Sequence, residues 1–168
     1  MVNIKRWFKH AFMPPWRWRA AFPSATLKAI EQAIGQSEIR HRGELRFAVE
    51  NSLPPMQVWR GRTAADRARQ IFSDLRIWDT EENSGVLIYL MLADREVHIV
   101  ADRGIARRVA QTEWDAIASA MQQAFRRGDF RDGVLAGIAS ITSLLTEHFP
   151  AASLNPNELP NRPVVIKE

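Results

Sequence analysis

Acidic side chains cluster around two apolar runs in the middle of the chain, and their types and spacing are the first indication of chemistry. The candidates are Glu44, Asp79, Glu81, Glu82, Asn83 and Asp102. Several oxygen ligands converging from separate loops are what a hard divalent cation such as calcium or magnesium needs. Asp, Asn, Ser and Gly are also common turn residues near the ends of strands. The pattern therefore fits either a cation site or the polar ends of a hairpin.

Other catalytic chemistry has little support in the sequence. The chain has no cysteine, which excludes thiol nucleophiles, disulfides and cysteine metal sites. No phosphate-binding or dinucleotide-binding glycine motif is present, and Ser84 has no nearby base and no nucleophile elbow. Four histidines are scattered without zinc spacing: His10, His41, His98 and His148.

The basic charge belongs to the N-terminus and not to the whole chain. Residues 1–22 carry five basic side chains and no acid, whereas residues 23–168 carry 18 basic and 19 acidic side chains. A nucleic-acid-binding protein more often spreads a basic stripe over its folded surface. Nucleic acid is therefore not an expected partner.

The same N-terminal segment is amphipathic. Ile4, Trp7, Phe8, Ala11 and Phe12 recur at helical spacing with basic residues largely on the other side. The proline pair at 14–15 should end this helix, and residues 16–19 are expected to be extended. A face of aromatic rings beside cations suits a helix lying in a membrane interface, although the rings could instead cover the domain's own sheet. The candidate docking residues are Lys5, Arg6, Trp7, Phe8, Lys9, Phe12, Trp16, Arg17, Trp18 and Arg19.

The rest of the chain alternates helical and strand patterns. We expect helices over 26–37, from a Thr63/Asp66 capping pair to about 76, from a Thr112/Asp115 pair to Gly128, and over 130–148. We expect strands over 44–50, 86–93 and 96–102, a loop over 51–62, and an extended tail over 155–168 with a short edge strand at 164–166.

This order of elements predicts an α/β fold with a small mixed sheet. The first two strands and the helix between them form a βαβ unit, so those strands should pair in parallel. The tight turn at Asp94 makes the third strand antiparallel. Glu44 and Asp102 would then reach the sheet end where Gly85 lies, together with the loop 79–83. The chain divides into a basic aromatic segment (1–22), one α/β domain (23–150) and a proline-rich tail (151–168).

No membrane span is expected. The longest uninterrupted apolar run is the eight residues 86–93, against about 20 for a spanning helix. Charges and prolines interrupt any secretory signal near the N-terminus. The expected compartment is the cytoplasm, with peripheral attachment to the inner membrane and a membrane surface or membrane protein as partner.

The core of the TPM domain family is similar to the stretch RARQIFSDLRIWDTEENSGVLIYLMLADREVHIVADRGI. The matching motifs are Asn83-Ser84-Gly85 before Val86 and Leu87, then Asp102 to Ile105, then Phe125, Gly128, Phe130 and Gly133. The resemblance covers roughly residues 43–148. Ser84 is inserted relative to the family pattern, and the stretch from Asp102 replaces its usual Gly-x-Gly.

The resemblance implies a Rossmann-like α/β/α sandwich with a calcium-type cation site near the loop before the central strand. It also implies links to acid phosphatase activity and to maintenance of membrane complexes such as the photosystem. The first hypothesis is a non-enzymatic accessory factor working at a membrane surface. The alternative is a metal-dependent phosphatase-like hydrolase, in which the acids hold the cation and Arg103 contacts phosphate. A concave pocket beside the acids would favour the hydrolase.

Overall fold

The computed structural model describes residues 3–167, which fold into eight helices and four strands. In chain order these are α1 Ile4–Ala11, α2 Arg17–Ala21, α3 Ser24–Glu38, β1 Glu44–Glu50, α4 Pro55–Trp59, α5 Ala64–Asp74, β2 Gly85–Met91, β3 Glu96–Ala101, α6 Arg103–Ala106, α7 Gln111–Arg127, α8 Phe130–His148 and β4 Val164–Ile166.

The strands form one mixed sheet in the order β3-β2-β1-β4. β1 pairs in parallel with β2, from Glu44 opposite Gly85 to Glu50 opposite Met91. β3 is antiparallel to β2, and β4 adds a parallel edge strand beside the end of β1. The α/β fold, the mixed sheet and the directions of its strands are thus confirmed.

Helices cover both faces of this sheet, as a parallel pair buried on both sides requires. Every residue of β1 and β2 is buried. On one face Ile30, Trp114 and Ile138, from α3, α7 and α8, pack against alternate strand residues. On the other face Val58 of α4 and Ile71 of α5 pack against the remaining ones. The result is a three-layer α/β/α sandwich.

Several helix boundaries follow local sequence signals. The Thr63/Asp66 capping box is formed in both directions at the start of α5. Gly128 ends α7 in the left-handed conformation, with φ of 88°. The expected Thr112 cap is wrong: α7 begins at Gln111, and its N-cap Ala110 offers no side-chain hydrogen bond.

Three short helices, α2, α4 and α6, lie where none was expected. α4 falls in the region predicted as a loop, and Pro55 supplies the fixed φ that suits a first helical turn. Residues 16–19 were predicted to be extended, but residues 17–21 form α2, which is followed by the fully buried Phe22. Such short helices depend on tertiary packing because their own propensity is too weak.

No helix among the described residues is both long and apolar enough to cross a bilayer.

Candidate functional site

The fold brings the backbone of the acidic candidates to one end of the sheet. Glu44 pairs with Gly85, and the Asp102 amide donates to the Gly85 carbonyl at 2.8 Å. The Gly104 amide donates to the Asn83 carbonyl at 3.0 Å. Position 85 has no room for a side chain, because a Cβ on Gly85 would lie 2.0 Å from the Ile77 carbonyl oxygen. We call this end, with the loop 79–83, the acidic edge.

Three side chains of the acidic edge contact arginines: Asp79, Glu82 and Asn83. Asp79 pairs with Arg76 at 2.9 Å, and Glu82 with Arg42 at 2.6 Å. The Arg103 guanidinium donates to Asn83 Oδ1 at 3.0 Å. The backbone amide of Glu81 donates to the carboxylate of Glu158. Within residues 3–167 no three His, Cys, Asp or Glu side chains are grouped to hold a metal ion.

Glu44 and Asp102 each accept a hydrogen bond from a backbone amide. The Leu159 amide donates to Glu44 Oε2 at 3.0 Å, and burial raises the pKa of this carboxyl. Asp102 Oδ1 caps α6 by accepting from the Arg103 amide at 2.7 Å.

Two buried oxygens at this edge, Asp102 Oδ2 and Ser84 Oγ, have no hydrogen-bond partner among the described residues. Binding of calcium or magnesium at this edge stays a prediction.

One buried serine–histidine pair has the composition of a catalytic dyad but not its proton arrangement. Gly43 donates its amide to His41 Nδ1 at 3.1 Å, so Nε2 carries the proton and donates to Ser37 Oγ at 2.7 Å. Ser37 in turn contacts Thr142 Oγ1 at 2.6 Å, which donates to the Ile138 carbonyl. Burial lowers the pKa of His41 to about 4. His41 therefore has no free nitrogen to act as a base toward Ser37.

A second buried network fixes the N-terminal helix α1 to the carboxyl end of β2. The Arg6 guanidinium donates to both carboxylate oxygens of Asp94 at 2.9–3.1 Å and to the Arg62 carbonyl at 2.7 Å. His10 Nε2 lies 3.0 Å from Asp94 Oδ1, while the Leu53 amide donates to His10 Nδ1 at 2.8 Å. Both ring nitrogens of His10 are thus occupied.

Asp94 is the centre of this anchor. Its burial alone would raise the pKa of the carboxyl, but hydrogen bonds and charges from His10 and Arg6 outweigh it and lower the pKa to about 2. From the sequence, Asp94 was predicted only to be a turn residue, because it lies with Arg95 between two strands. In the structure Arg95 has a φ of 55°, in the left-handed region that residues other than glycine seldom adopt.

The anchor divides the aromatic residues of the N-terminal segment into two sets. Trp7 and Trp18 are partly buried against the cores on opposite sides of the sheet. Ile4, Phe8 and Phe12 face outward and are 61%, 51% and 73% exposed. Trp7 and Trp18 thus cover the domain itself, whereas the outward rings do not, and docking through them stays a prediction.

Cations surround the outward rings. Lys5 and Lys9 are exposed on the same helix. A hollow of about 370 Å³ beside α1 is lined by Phe8, Lys9, Phe12, Arg17 and Arg95, together with the buried Asp94. We call the set Ile4, Lys5, Phe8, Lys9, Phe12, Arg17 and Arg95 the outer face. Arg95 was not among the residues singled out from the sequence, because it lies in a turn that is distant from the others in the chain.

Comparison with known proteins agrees with this architecture. The model of the TPM domain family matches residues 19–144. The NMR structure of the BA42 protein from the psychrophilic bacterium Bizionia argentinensis superposes with a TM-score of 0.76 at 30% identity, over 86% of this chain and 94% of that one. The N-terminal domain of a P. gingivalis protein shares the fold, with a TM-score of 0.63 at 14% identity, over 84% and 95% of the two chains. A search of curated proteins returned no match.

The matched residues include all of β1 to β3, the acidic edge and most of α8, which is three quarters of the chain. Helix α1 and strand β4 lie outside the match. The chain belongs to the TPM domain family.

Proposed function

We propose that this protein is a non-enzymatic accessory factor that binds an anionic membrane surface through its outer face and assists the assembly or maintenance of membrane proteins there. The observation that carries the proposal is the exposure of Phe8 and Phe12 on a helix whose other side is locked to the domain by Arg6 and His10. The expected place is the inner face of the membrane.

The outer face has the chemistry of an interfacial helix. Phe8 and Phe12 stack with their ring centroids 5.8 Å apart, forming one apolar ridge. Lys5, Lys9 and Arg17 flank this ridge. Each juxtamembrane cation contributes roughly 1 kcal/mol of attraction to an anionic surface, and apolar rings gain about 25 cal/mol per Å² on leaving water.

Rigidity supports the same proposal. A helix that folded only on binding would have to offset the entropy of ordering its backbone, about 1–2 kcal/mol per residue. Here the buried network on Asp94 holds α1 in place before any membrane is met. The rings are therefore presented in the geometry that an interface accepts.

The alternative is a metal-dependent acid-phosphatase-like hydrolase working at the acidic edge. It has less support, because Asp79 and Glu82 pair with arginines. The hydrogen-bond directions around His41 and His10 also leave neither histidine free to act as a general base.

The test is binding to vesicles of phosphatidylglycerol and phosphatidylcholine, measured by co-sedimentation. We expect Phe8→Ser/Phe12→Ser to lower the affinity at least tenfold, because both rings leave the interface, with an unchanged melting temperature, because both are exposed in the folded protein. Raising the salt should also weaken binding of the unchanged protein.

The matched control is Ile39→Ser/Leu154→Ser, which removes two other exposed apolar side chains away from the outer face. This control should bind vesicles as the unchanged protein does. Equal binding by the control and by Phe8→Ser/Phe12→Ser, or an unchanged protein that does not sediment with anionic vesicles, would contradict the proposal.

A further inference from the structure

A hollow of about 630 Å³ lies between the two ends of the chain, at the sheet end opposite the acidic edge. Its floor includes Asn51, Ser52 and Leu53, which follow β1, and Lys167, which follows β4. Trp16, Trp18 and Arg19 of the N-terminal segment form its other wall. We call this hollow the terminal pocket. Its volume lies in the range of about 300–1,000 Å³ that small-molecule sites occupy.

The position of the terminal pocket is the one at which open α/β sheets bind ligands. β1, β2 and β4 run parallel, so their carboxyl ends meet at the same edge. The chain leaves β1 toward β2, and β4 lies on the other side of β1. The crevice outside the carboxyl ends of the strands is where open α/β sheets bind ligands.

The lining of the terminal pocket is positively charged, which favours an anionic ligand. Arg19 Cζ lies 5.2 Å and Lys167 Nζ 5.7 Å from the centre of the Trp18 ring, so both cations border the same wall. The lining residues include no aspartate or glutamate. Over the described residues, neither cation forms an ion pair with a carboxylate. An arginine and a lysine on one wall suit a phosphate group.

The remaining lining indicates the rest of the ligand. Trp16 lines the hollow and is 59% exposed, so its indole face is open for a flat ring to stack on. Asn51 donates through Nδ2 to the Pro14 carbonyl at 3.0 Å, whereas its buried Oδ1 has no partner among the described residues. A buried acceptor without a partner is destabilising, so a ligand with an N–H or O–H donor would gain by reaching it.

We propose that the terminal pocket binds a soluble phosphate ester of a flat aromatic base, the mononucleotide class. The phosphate lies between Arg19 and Lys167, the base stacks on Trp16, and an amino group donates to Asn51 Oδ1. The pocket is separate from the outer face, so this binding is independent of membrane docking. Trp16, Trp18 and Lys167 lie outside residues 19–144, which match the family, so the site is built largely by this chain's own ends.

The test titrates the full chain with adenosine 5′-monophosphate by isothermal calorimetry, with adenosine and inorganic phosphate as separate arms. We expect saturable binding of the nucleotide at one site and at least tenfold weaker binding of either fragment. Arg19→Gln/Lys167→Gln should lower the affinity for the nucleotide at least tenfold. Arg131→Gln/Lys28→Gln removes the same charges from exposed positions elsewhere and should change nothing.

Two further arms separate this pocket from the outer face and from lipid headgroups. Phe8→Ser/Phe12→Ser should keep nucleotide binding while it loses vesicle binding, and Trp16→Phe should remove the nucleotide-dependent quenching of tryptophan fluorescence. No saturable binding of the nucleotide would overturn the proposal. Nucleotide binding that is unchanged in Arg19→Gln/Lys167→Gln would also overturn it. The same holds if this double variant weakens binding to phosphatidylglycerol vesicles and has no effect on nucleotide binding.

Discussion

Two buried titratable side chains at the end of α3 oppose each other in their effect on stability. Burial raises the pKa of Glu38 to about 8, against hydrogen bonding from the Leu45 amide at 2.9 Å. Between the unfolded value of about 4.5 and this value, only the folded state holds the proton, so stability falls as pH rises through that window. His41 acts in reverse. Its pKa is lowered to about 4, so stability rises with pH between about 4 and 6.5.

Replacing Glu38 isolates its share of this pH dependence. Glu38→Gln keeps an acceptor for the Leu45 amide and never ionises. We expect its free energy of unfolding to exceed that of the unchanged protein at pH 8.5 by on the order of 3 kcal/mol, with a much smaller gain at pH 5. Urea unfolding at pH 5, 6.5 and 8.5 measures the difference. The control is Glu31→Gln on the exposed side of the same helix, and stability curves that stay parallel at all three pH values would show that Glu38 is not the cause.

Helix α1 is held to the domain by one carboxylate, that of Asp94. Asp94 is 88 residues from Arg6 in the chain, yet it receives Arg6 and His10 in one buried site. Breaking a buried pair leaves an uncompensated charge and typically costs about 3–5 kcal/mol. The orientation of the outer face therefore depends on a residue that is not part of it.

We expect Asp94→Asn to lower the free energy of unfolding by about 2–4 kcal/mol, because Asn cannot neutralise Arg6 and can accept fewer hydrogen bonds. Trypsin should then cleave faster at Lys5 and Lys9, because α1 detaches. Asp129→Asn, which breaks the exposed ion pair with Arg127, is the control and should do neither. Because the Asp94 pKa is lowered to about 2, its contribution is present above pH 4 and is lost as pH falls toward 2. Unchanged proteolysis in Asp94→Asn would remove Asp94 from this role.

The C-terminal tail covers one edge of the sheet. β4 covers the edge of β1 at Ala48 to Glu50, and the tail before it receives the Arg46 guanidinium at the Pro160 and Arg162 carbonyls. An uncovered strand edge presents free N–H and C=O groups that can pair with another chain. The tail therefore protects the sheet as well as lining the terminal pocket.

Truncation after Arg162 tests this role of the tail. We expect the shortened chain to unfold at lower urea concentration, with a loss of about 1–3 kcal/mol for the half-buried Val164 to Ile166, and to self-associate through the uncovered β1 edge. Analytical ultracentrifugation measures the association. Val164→Ser/Val165→Ser in the full-length chain keeps the backbone pairing, so it should lose stability while staying in the same oligomeric state. A truncated chain that matches the full one in both stability and size would show that the edge needs no cover.

Local sequence patterns were enough to predict the α/β fold with its mixed sheet and the ends of several elements. Alternation and capping are local properties, and they placed β1 from Glu44 to Glu50, the Thr63/Asp66 cap and the end of α7 at Gly128. The βαβ rule then predicted the parallel pairing that brings Glu44 opposite Gly85. The directions of the acidic side chains could not be predicted in this way, because they depend on distant partners such as Arg42 for Glu82. Only the tertiary structure decided which rings of the N-terminal segment face outward, since helical spacing marks an aromatic face without saying what lies against it, and a buried carboxylate 88 residues away sets the orientation.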